Sequence, residues 1–249
     1  MMRIWWRPTL GSAALCVALL AGGCTTAVTG VAEPARDSAG IIGIGRSIIQ
    51  LIPTGTELSQ VLNARVHDSD FPPSVGGLDA LSGWMPPGTD PGCAAVVFPF
   101  LKEPYQGSSA RAAAQQHWSA IPDKFSVKAG AVALASPRDA SELFARFVSQ
   151  WRRCQGKTEV FRHSLDEVGI PDYLNRITDV KTVGAMLTAV VILSSSDDPS
   201  PLPSERAVGV AYNCILDVEV TEIGREQDDP ITASHAQDVA KLMMAKAGA

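Results

Sequence analysis

The chain lacks most of the features by which enzymes and nucleic-acid binders announce themselves. It holds 21 lysines and arginines against 26 acidic residues, a formal charge of −5. No basic footprint for a polyanion exists, and nucleic acid is excluded as a partner class. Nowhere is there an apolar run of the roughly 20 residues a bilayer-crossing helix needs. Histidines are few: His67, His117, His163 and His235. None stands in an HExxH pattern or beside a CxxC pair, so no close-spaced metal site is legible. No G-x-S-x-G elbow is present either. His163 and Ser164 are adjacent, but neighbours on a strand point to opposite faces, so they read as a strand end and a turn. The carboxylates of "HDSDF" and "SSDDPS" lack the glycine and distant glutamate of a calcium loop and read as solvated turns. The glycines of "GIIGIG" are wrongly spaced for a dinucleotide fingerprint. Neither a catalytic set nor a cofactor site emerges from the residues.

What is present starts at the N-terminus with "MMRIWWRPTLGSAALCVALLAGG". Arg3 and Arg7 form a short basic segment, and Leu10 to Ala21 form an apolar run ending in two glycines. This is the layout of a secretory signal peptide, residues 1–23. Ala21, Gly22 and Gly23 directly precede Cys24, and the stretch resembles a bacterial lipobox, with Ala21 where that motif prefers leucine. Cleavage in front of Cys24 and thioether lipidation are therefore expected. Two or three acyl chains, palmitate among them, make a durable membrane anchor where one holds only marginally. Loss of the signal removes two basic residues and no acidic ones, leaving 19 against 26 and a mature charge of −7. Covalent lipid, rather than a polybasic patch, must then hold the protein to a membrane.

Residues 24–49 mix small residues with Pro34 and several glycines and read as a lipidated N-terminus and flexible linker. One domain, 50–249, follows. Cysteines stand at 16, 24, 93, 154 and 214. Cys16 leaves with the signal and Cys24 is taken by lipid, so one disulfide and one odd cysteine are expected outside the cytoplasm. Counting does not choose the pair.

In "LIPTGTELSQVLNARV", Thr54 and Glu57 have capping-box spacing, and Leu58, Val61, Leu62 and Val66 share a helical face. Residues 71–92 are dense in proline and glycine and predict an irregular loop leading to Cys93. "SSARAAAQQHWSA" predicts a short helix opened by Ser108 or Ser109. "KFSVKAGAVALAS" alternates like a strand. In "SPRDASELFARFVSQWRRCQG", Ser136 is a natural N-cap, Pro137 suits the first helical position and Asp139 favours the positive helix start. Leu143, Phe144, Phe147, Val148 and Trp151 form its apolar stripe, and Gly156 ends it. The aromatics could make a ligand cage, but core packing is the reading taken. Three extended runs follow, "TEVFRHS", "AMLTAVVILSSS" and "RAVGVAYNCILDVEVTEI". The close is a helix, "TASHAQDVAKLMMAKA", with Ala236, Val239, Ala240, Met243 and Ala247 on one side. Met243 and Met244 are assigned to ordinary packing. Strands in succession with helices before and after predict a single α+β domain, helices packed on a twisted antiparallel sheet.

The signal and lipobox, "PTGTEL", "PGCAA" around Cys93, "FARFVSQWRRC" ending at Cys154, "GVAYNCILDVEV" and the closing helix together resemble one family. It is the PknH-like extracellular sensor domain, found beneath mycobacterial receptor Ser/Thr kinases and as free-standing lipoproteins. The most specific element is W-x-x-C, Trp151 to Cys154, after a Ser-x-x-Asp helix start and some sixty residues after a lone cysteine. The resemblance implies a Cys93–Cys154 disulfide, an α+β sandwich and a large cleft that receives a ligand. The kinase members carry a second disulfide for which this chain has no pair, and Cys214 is expected to be a buried small hydrophobe.

The function expected is that of a non-enzymatic, lipid-anchored protein on the extracytoplasmic face of the cell membrane. It would bind an apolar or amphipathic small molecule or lipid, or an envelope protein, with no metal and no cofactor. The rivals are an envelope hydrolase whose site assembles only in the fold, and a purely structural interaction module.

Overall fold

A computed structural model describes residues 46–69, 71–85, 89–118, 124–162, 171–198, 200–223 and 234–248. Eight strands form one antiparallel sheet in the order β1-β2-β3-β8-β7-β6-β5-β4. They are β1 (Ser74–Gly76), β2 (Ala110–Trp118), β3 (Phe125–Leu134), β4 (Thr158–Phe161), β5 (Tyr173–Val183), β6 (Met186–Ser195), β7 (Leu202–Ala211) and β8 (Cys214–Glu222). Five helices pack on its two faces: α1 (Arg46–Ile49), α2 (Gly55–Val61), α3 (Pro91–Val97), α4 (Pro137–Cys154) and α5 (Ser234–Gly248). This is the α+β architecture expected.

Period-2 alternation divides the strands between two cores. Along β8, Cys214, Leu216, Val218 and Val220 join a core with α1, α2 and α5. Ile215 turns to the other core, shared with α3 and α4. The two faces differ in how completely they are covered. Helix α5 lies along β7 and β8, and its start is held by a buried carboxylate: Glu205 accepts from the Ala236 amide at 3.0 Å and bonds His235 Nδ1 at 2.8 Å. Negative charge is favoured at this end of a helix. The opposite face carries α3 and α4 over one half only.

Local signals set the helix starts. Thr54 and Glu57 form the predicted capping box. The helix is shorter than its apolar stripe, ending at Val61 with Leu62 as its C-cap, and Val66 reaches the core from beyond it. Ser136 caps α4 by accepting from the Asp139 amide, with Pro137 opening the helix. Residues 24–45 lie outside the described part. Helix α1 begins at Arg46, with Ile48 buried, so packed structure starts inside the stretch expected to be linker.

Three sequence expectations are corrected. The alanine-rich segment expected as a helix is strand β2. Alanine favours helix when nothing else decides, but here packing overrides that weak preference. Ala112 and Ala114 enter one core and Ala113 the other, and their small side chains fit a strand covered on both sides. Residues 71–92 are not wholly irregular: they contain β1, a 3-10 turn at Leu78–Ala80 and the start of α3, which Asp90 caps through the Gly92 amide. The long run "RAVGVAYNCILDVEVTEI" is two strands, since Tyr212 adopts φ 51° and the chain turns back through Asn213. Strand β5 was not expected at all.

Candidate functional site

The half of the sheet that α3 and α4 leave bare is the floor of a cleft. Its residues follow from strand parity. On β3, Ser126 and Lys128 alternate with the core residues Phe125, Val127 and Ala129. On β8, Glu219 and Thr221 alternate with Val218 and Val220, and Ile223 follows just past the strand end. Ser204 and Leu202 come from β7, Val191 and Leu193 from β6, Asn175 from β5 and His117 from β2. Val97 and Phe98, at the end of α3, form the wall. The cavity measures about 340 Å³, at the small end of ligand-sized clefts. A second hollow of about 240 Å³, lined by Phe71 and Phe100 among others, meets it at His117 and Lys128.

A buried ion pair fixes that wall. Helix α3 ends within the protein, where its last carbonyls need donors. Arg206, on β7 and fully buried, supplies them: Nε donates to Val96 O at 2.9 Å and Nη2 to Ala95 O at 3.4 Å, while Nη1 donates to Val218 O at 3.1 Å. Its charge is met by Asp217 on β8, with Nη2 and Oδ1 2.9 Å apart. The guanidinium also lies 5.6 Å from the Trp151 ring centre. Asp217 in turn accepts from the Phe100 amide at 3.2 Å. Burial pushes the Asp217 carboxyl above its ordinary range, and Arg206 and the Phe100 amide pull it back. Phe100 sits at φ 60°. Its ring occupies the space over Gly130, where any Cβ would lie 2.5 Å from the ring edge. From behind, the Cys93–Cys154 disulfide ties α3 to α4, as the sequence resemblance implied.

The floor has a polar and an apolar part. Toward β3, Lys128 Nζ donates to Glu219 at 2.8 Å, so the two formal charges neutralise each other. Ser204 and Thr221 share a hydroxyl bond of 2.7 Å. His117 Nε2 lies 3.1 Å from Ser126 Oγ. Partial burial, then Lys128, lowers the histidine pKa, and Glu219 opposes them, so the imidazole is neutral at pH 7. Toward β5 lie Val191, Leu193 and Leu202. Asn175, buried at 4 % exposure, presents an Nδ2 with no partner among them. Beyond the wall, aromatic rings continue: Phe98 packs on Phe161 at 4.6 Å and on the exposed Trp84 at 6.0 Å.

The residues singled out in the sequence fall mostly elsewhere. Cys24, His163 and Ser164 lie outside the described residues. Phe147 and Trp151 are core, with Phe144 packed against it, so they form no cage. Met243 is buried, and Met244 lies near Gly209. Cys214 is a buried free thiol whose pKa burial pushes up to about 12. Among the described residues, no group of three or more potential ligands could hold a metal ion, and no helix is long and apolar enough to cross a membrane. Sequence reasoning missed the cleft floor, yet a signal existed: in "LDVEVTEI", Asp217, Glu219 and Thr221 occupy every second position opposite valines.

Over residues 46–246 the sequence matches the PknH-like extracellular domain family. The chain belongs to that family. The crystal structure of the extracellular domain of PknH from Mycobacterium tuberculosis has the same fold, with a TM-score of 0.62 at 17% identity over 83% of this chain and 98% of that one. An uncharacterised protein of Mycobacterium smegmatis matches at a TM-score of 0.35 and 11% identity, over 76% of this chain and 92% of that one. No curated protein matches. In this PknH-like domain, then, the cleft stands on a family fold, and its chemistry belongs to its own floor residues.

Proposed function

We propose that the protein is a lipid-anchored, extracytoplasmic binding protein whose PknH-like domain captures an amphipathic ligand and releases it unchanged. The observation that carries this reading is the sheet face left half bare among the described residues, a concave site with a polar strip beside an apolar one. Affinity in such a site comes from apolar area plus a few placed polar groups. Membership of an extracellular domain family supports the location, and the lipobox at Cys24 supports the anchor.

A second reading has one observation in its favour. His117 and Ser126 meet in the cleft at 3.1 Å, as a base and a nucleophile would. A hydrolase also needs an orienting group for the histidine and donors for the oxyanion. No acceptor orients the other ring nitrogen among the described residues, and Ser126 sits inside a strand paired on β8.

Two measurements test the proposal. Incubating the mature protein with an envelope lipid extract and with p-nitrophenyl esters should give saturable lipid retention and no turnover. Turnover abolished by Ser126→Ala and His117→Ala would establish the hydrolase instead, and neither retention nor turnover would leave an interaction module. Intact mass should show a thioether-lipidated wild type and an unlipidated Cys24→Ser, whereas an unlipidated mature wild-type chain would reject the anchor.

A further inference from the structure

We infer that the cleft recognises an uncharged acyl ester or amide, whose carbonyl oxygen accepts from Asn175 Nδ2 while its acyl chain lies along Val191, Leu193 and Leu202. The inference rests on the capture reading and names the chemistry of its ligand.

Asn175 is where the argument starts. Buried amide groups are almost always hydrogen-bonded, and leaving one unpaired costs free energy. Asn175 lines the cavity, and its buried Nδ2 has no hydrogen-bond partner among the described residues. Its register neighbour on β6 is Leu193, which pairs in turn with Leu202 on β7. With Glu159 as its register neighbour on β4 and leucines toward β6 and β7, this donor asks for a neutral acceptor that is itself attached to apolar atoms. A carbonyl joined to an acyl chain has that form: it accepts and cannot donate, and its chain covers the neighbouring side chains.

Charge excludes the obvious competitors. A carboxylate would also accept from Asn175, but an ion brought among apolar side chains loses its hydration, and one amide does not compensate for that. The formal charges on the floor are Lys128 and Glu219, already paired at 2.8 Å. An anion drawn to Lys128 meets Glu219 beside it, and a cation drawn to Glu219 meets Lys128. Neither sign gains, so the site favours a neutral molecule. The strip between also suits an uncharged hydroxylated head. Of the Ser204 and Thr221 hydroxyls, bonded at 2.7 Å, one donates to the other and leaves the second hydrogen free. The strip thus offers both donors and acceptors, as hydroxyl groups require.

The test compares four probes on the mature protein by calorimetry, below micelle-forming concentrations. They are 1-monodecanoylglycerol, the decyl glyceryl ether that lacks only the carbonyl, decanoate, and monoacetin, which keeps the head and carbonyl without the chain. The ester should bind at least tenfold more tightly than each of the other three and be recovered intact by mass spectrometry. In Asn175→Leu the ester-to-ether ratio should fall to within twofold. Should that variant fail to fold, the wild-type ratio decides alone, together with the Asn175 side-chain amide resonances, which should shift with ester and stay in place with ether. Equal affinity for ester and ether, or tighter binding of decanoate, overturns the inference and leaves capture standing. If none of the chain-bearing probes binds, the capture reading falls with it.

Discussion

Replacing Arg206 by methionine tests how the cleft wall is held. The substitution keeps an unbranched apolar stem and removes the guanidinium. Asp217 then keeps only the Phe100 amide, and the carbonyls of Ala95, Val96 and Val218 lose their donor. Breaking a buried pair from one side costs about 3–5 kcal/mol, because a charge is left uncompensated. Typical domain stability is about 5–15 kcal/mol. For a domain of this size each kcal/mol moves the melting temperature by about 2–4 °C, so Arg206→Met should melt about 6–20 °C lower. The double variant Arg206→Met/Asp217→Leu removes the stranded charge and should recover at least about 1 kcal/mol of the loss, as hydrophobic replacements of buried pairs do. The pH dependence has a definite sign. Without Arg206, burial raises the Asp217 pKa further above its unfolded value of about 3.9. The folded state then binds more protons than the unfolded one, so stability falls as pH rises. The deficit of Arg206→Met should accordingly be smaller near pH 4.5 than at pH 8. Urea titrations followed by tryptophan fluorescence read all three quantities, since Trp151 lies against the pair. A single variant within 1 kcal/mol of wild type, or a double variant no more stable than the single, would refute the account.

Other expectations follow from the same structure. The Cys93–Cys154 bond closes a loop of sequence separation 61, and the chain-entropy relation gives it about 4 kcal/mol of stabilisation. Cys93→Ala/Cys154→Ala should lose an amount of that order in denaturant titrations, and a loss below 1 kcal/mol would contradict it. Gly130→Ala places a methyl 2.5 Å from the Phe100 ring and 2.7 Å from Ala114 O. It should destabilise by about 1–3 kcal/mol, as overpacking does, and a melting temperature unchanged from wild type would show the niche to be slack. Cys214, with its thiol pushed up to about 12, should resist iodoacetamide at pH 8 until urea unfolds the chain; rapid labelling of the folded protein would show otherwise. An NMR titration should place His117 below the ordinary histidine value of about 6.5. Lys128→Met should raise it and Glu219→Gln lower it further. Because the unfolded imidazole takes up its proton first, this residue's contribution is present above the unfolded value and is lost as pH falls from there through the lower folded value.

Two helix starts were the most legible features of the sequence, because capping is local. Thr54 with Glu57 and Ser136 with Pro137 are read within a few residues of each other, and both starts are where the pattern put them. Strand β2 was misread because Ala110–Trp118 has no alternation to show: alanines face both cores, and only the layers on either side reveal why small residues are needed there. Strand β5 escaped because its outer half alternates polar with polar, and Asp179, at φ 51°, interrupts its register with β6. The cleft was harder still. Lys128 and Glu219 are 91 residues apart, and nothing local says that they neutralise one another. Asn175 is ordinary in sequence and becomes a candidate only when its amide nitrogen is found buried without a partner among the described residues.

The sheet is assembled from two runs of neighbours, β1 to β3 and β4 to β8, joined only where Phe125–Ala133 pairs with Cys214–Glu222. That seam runs through the cleft floor, between Lys128 and Glu219. No N-terminal fragment that stops before β8 therefore contains the whole floor, however well it collapses, because Glu219 and Thr221 arrive only with the last strand. A chain emerging from its N-terminus can complete helix α4 and its disulfide with α3 while the cleft floor is still incomplete. The floor should be completed late and all at once, as strand β8 zips into the gap beside β3.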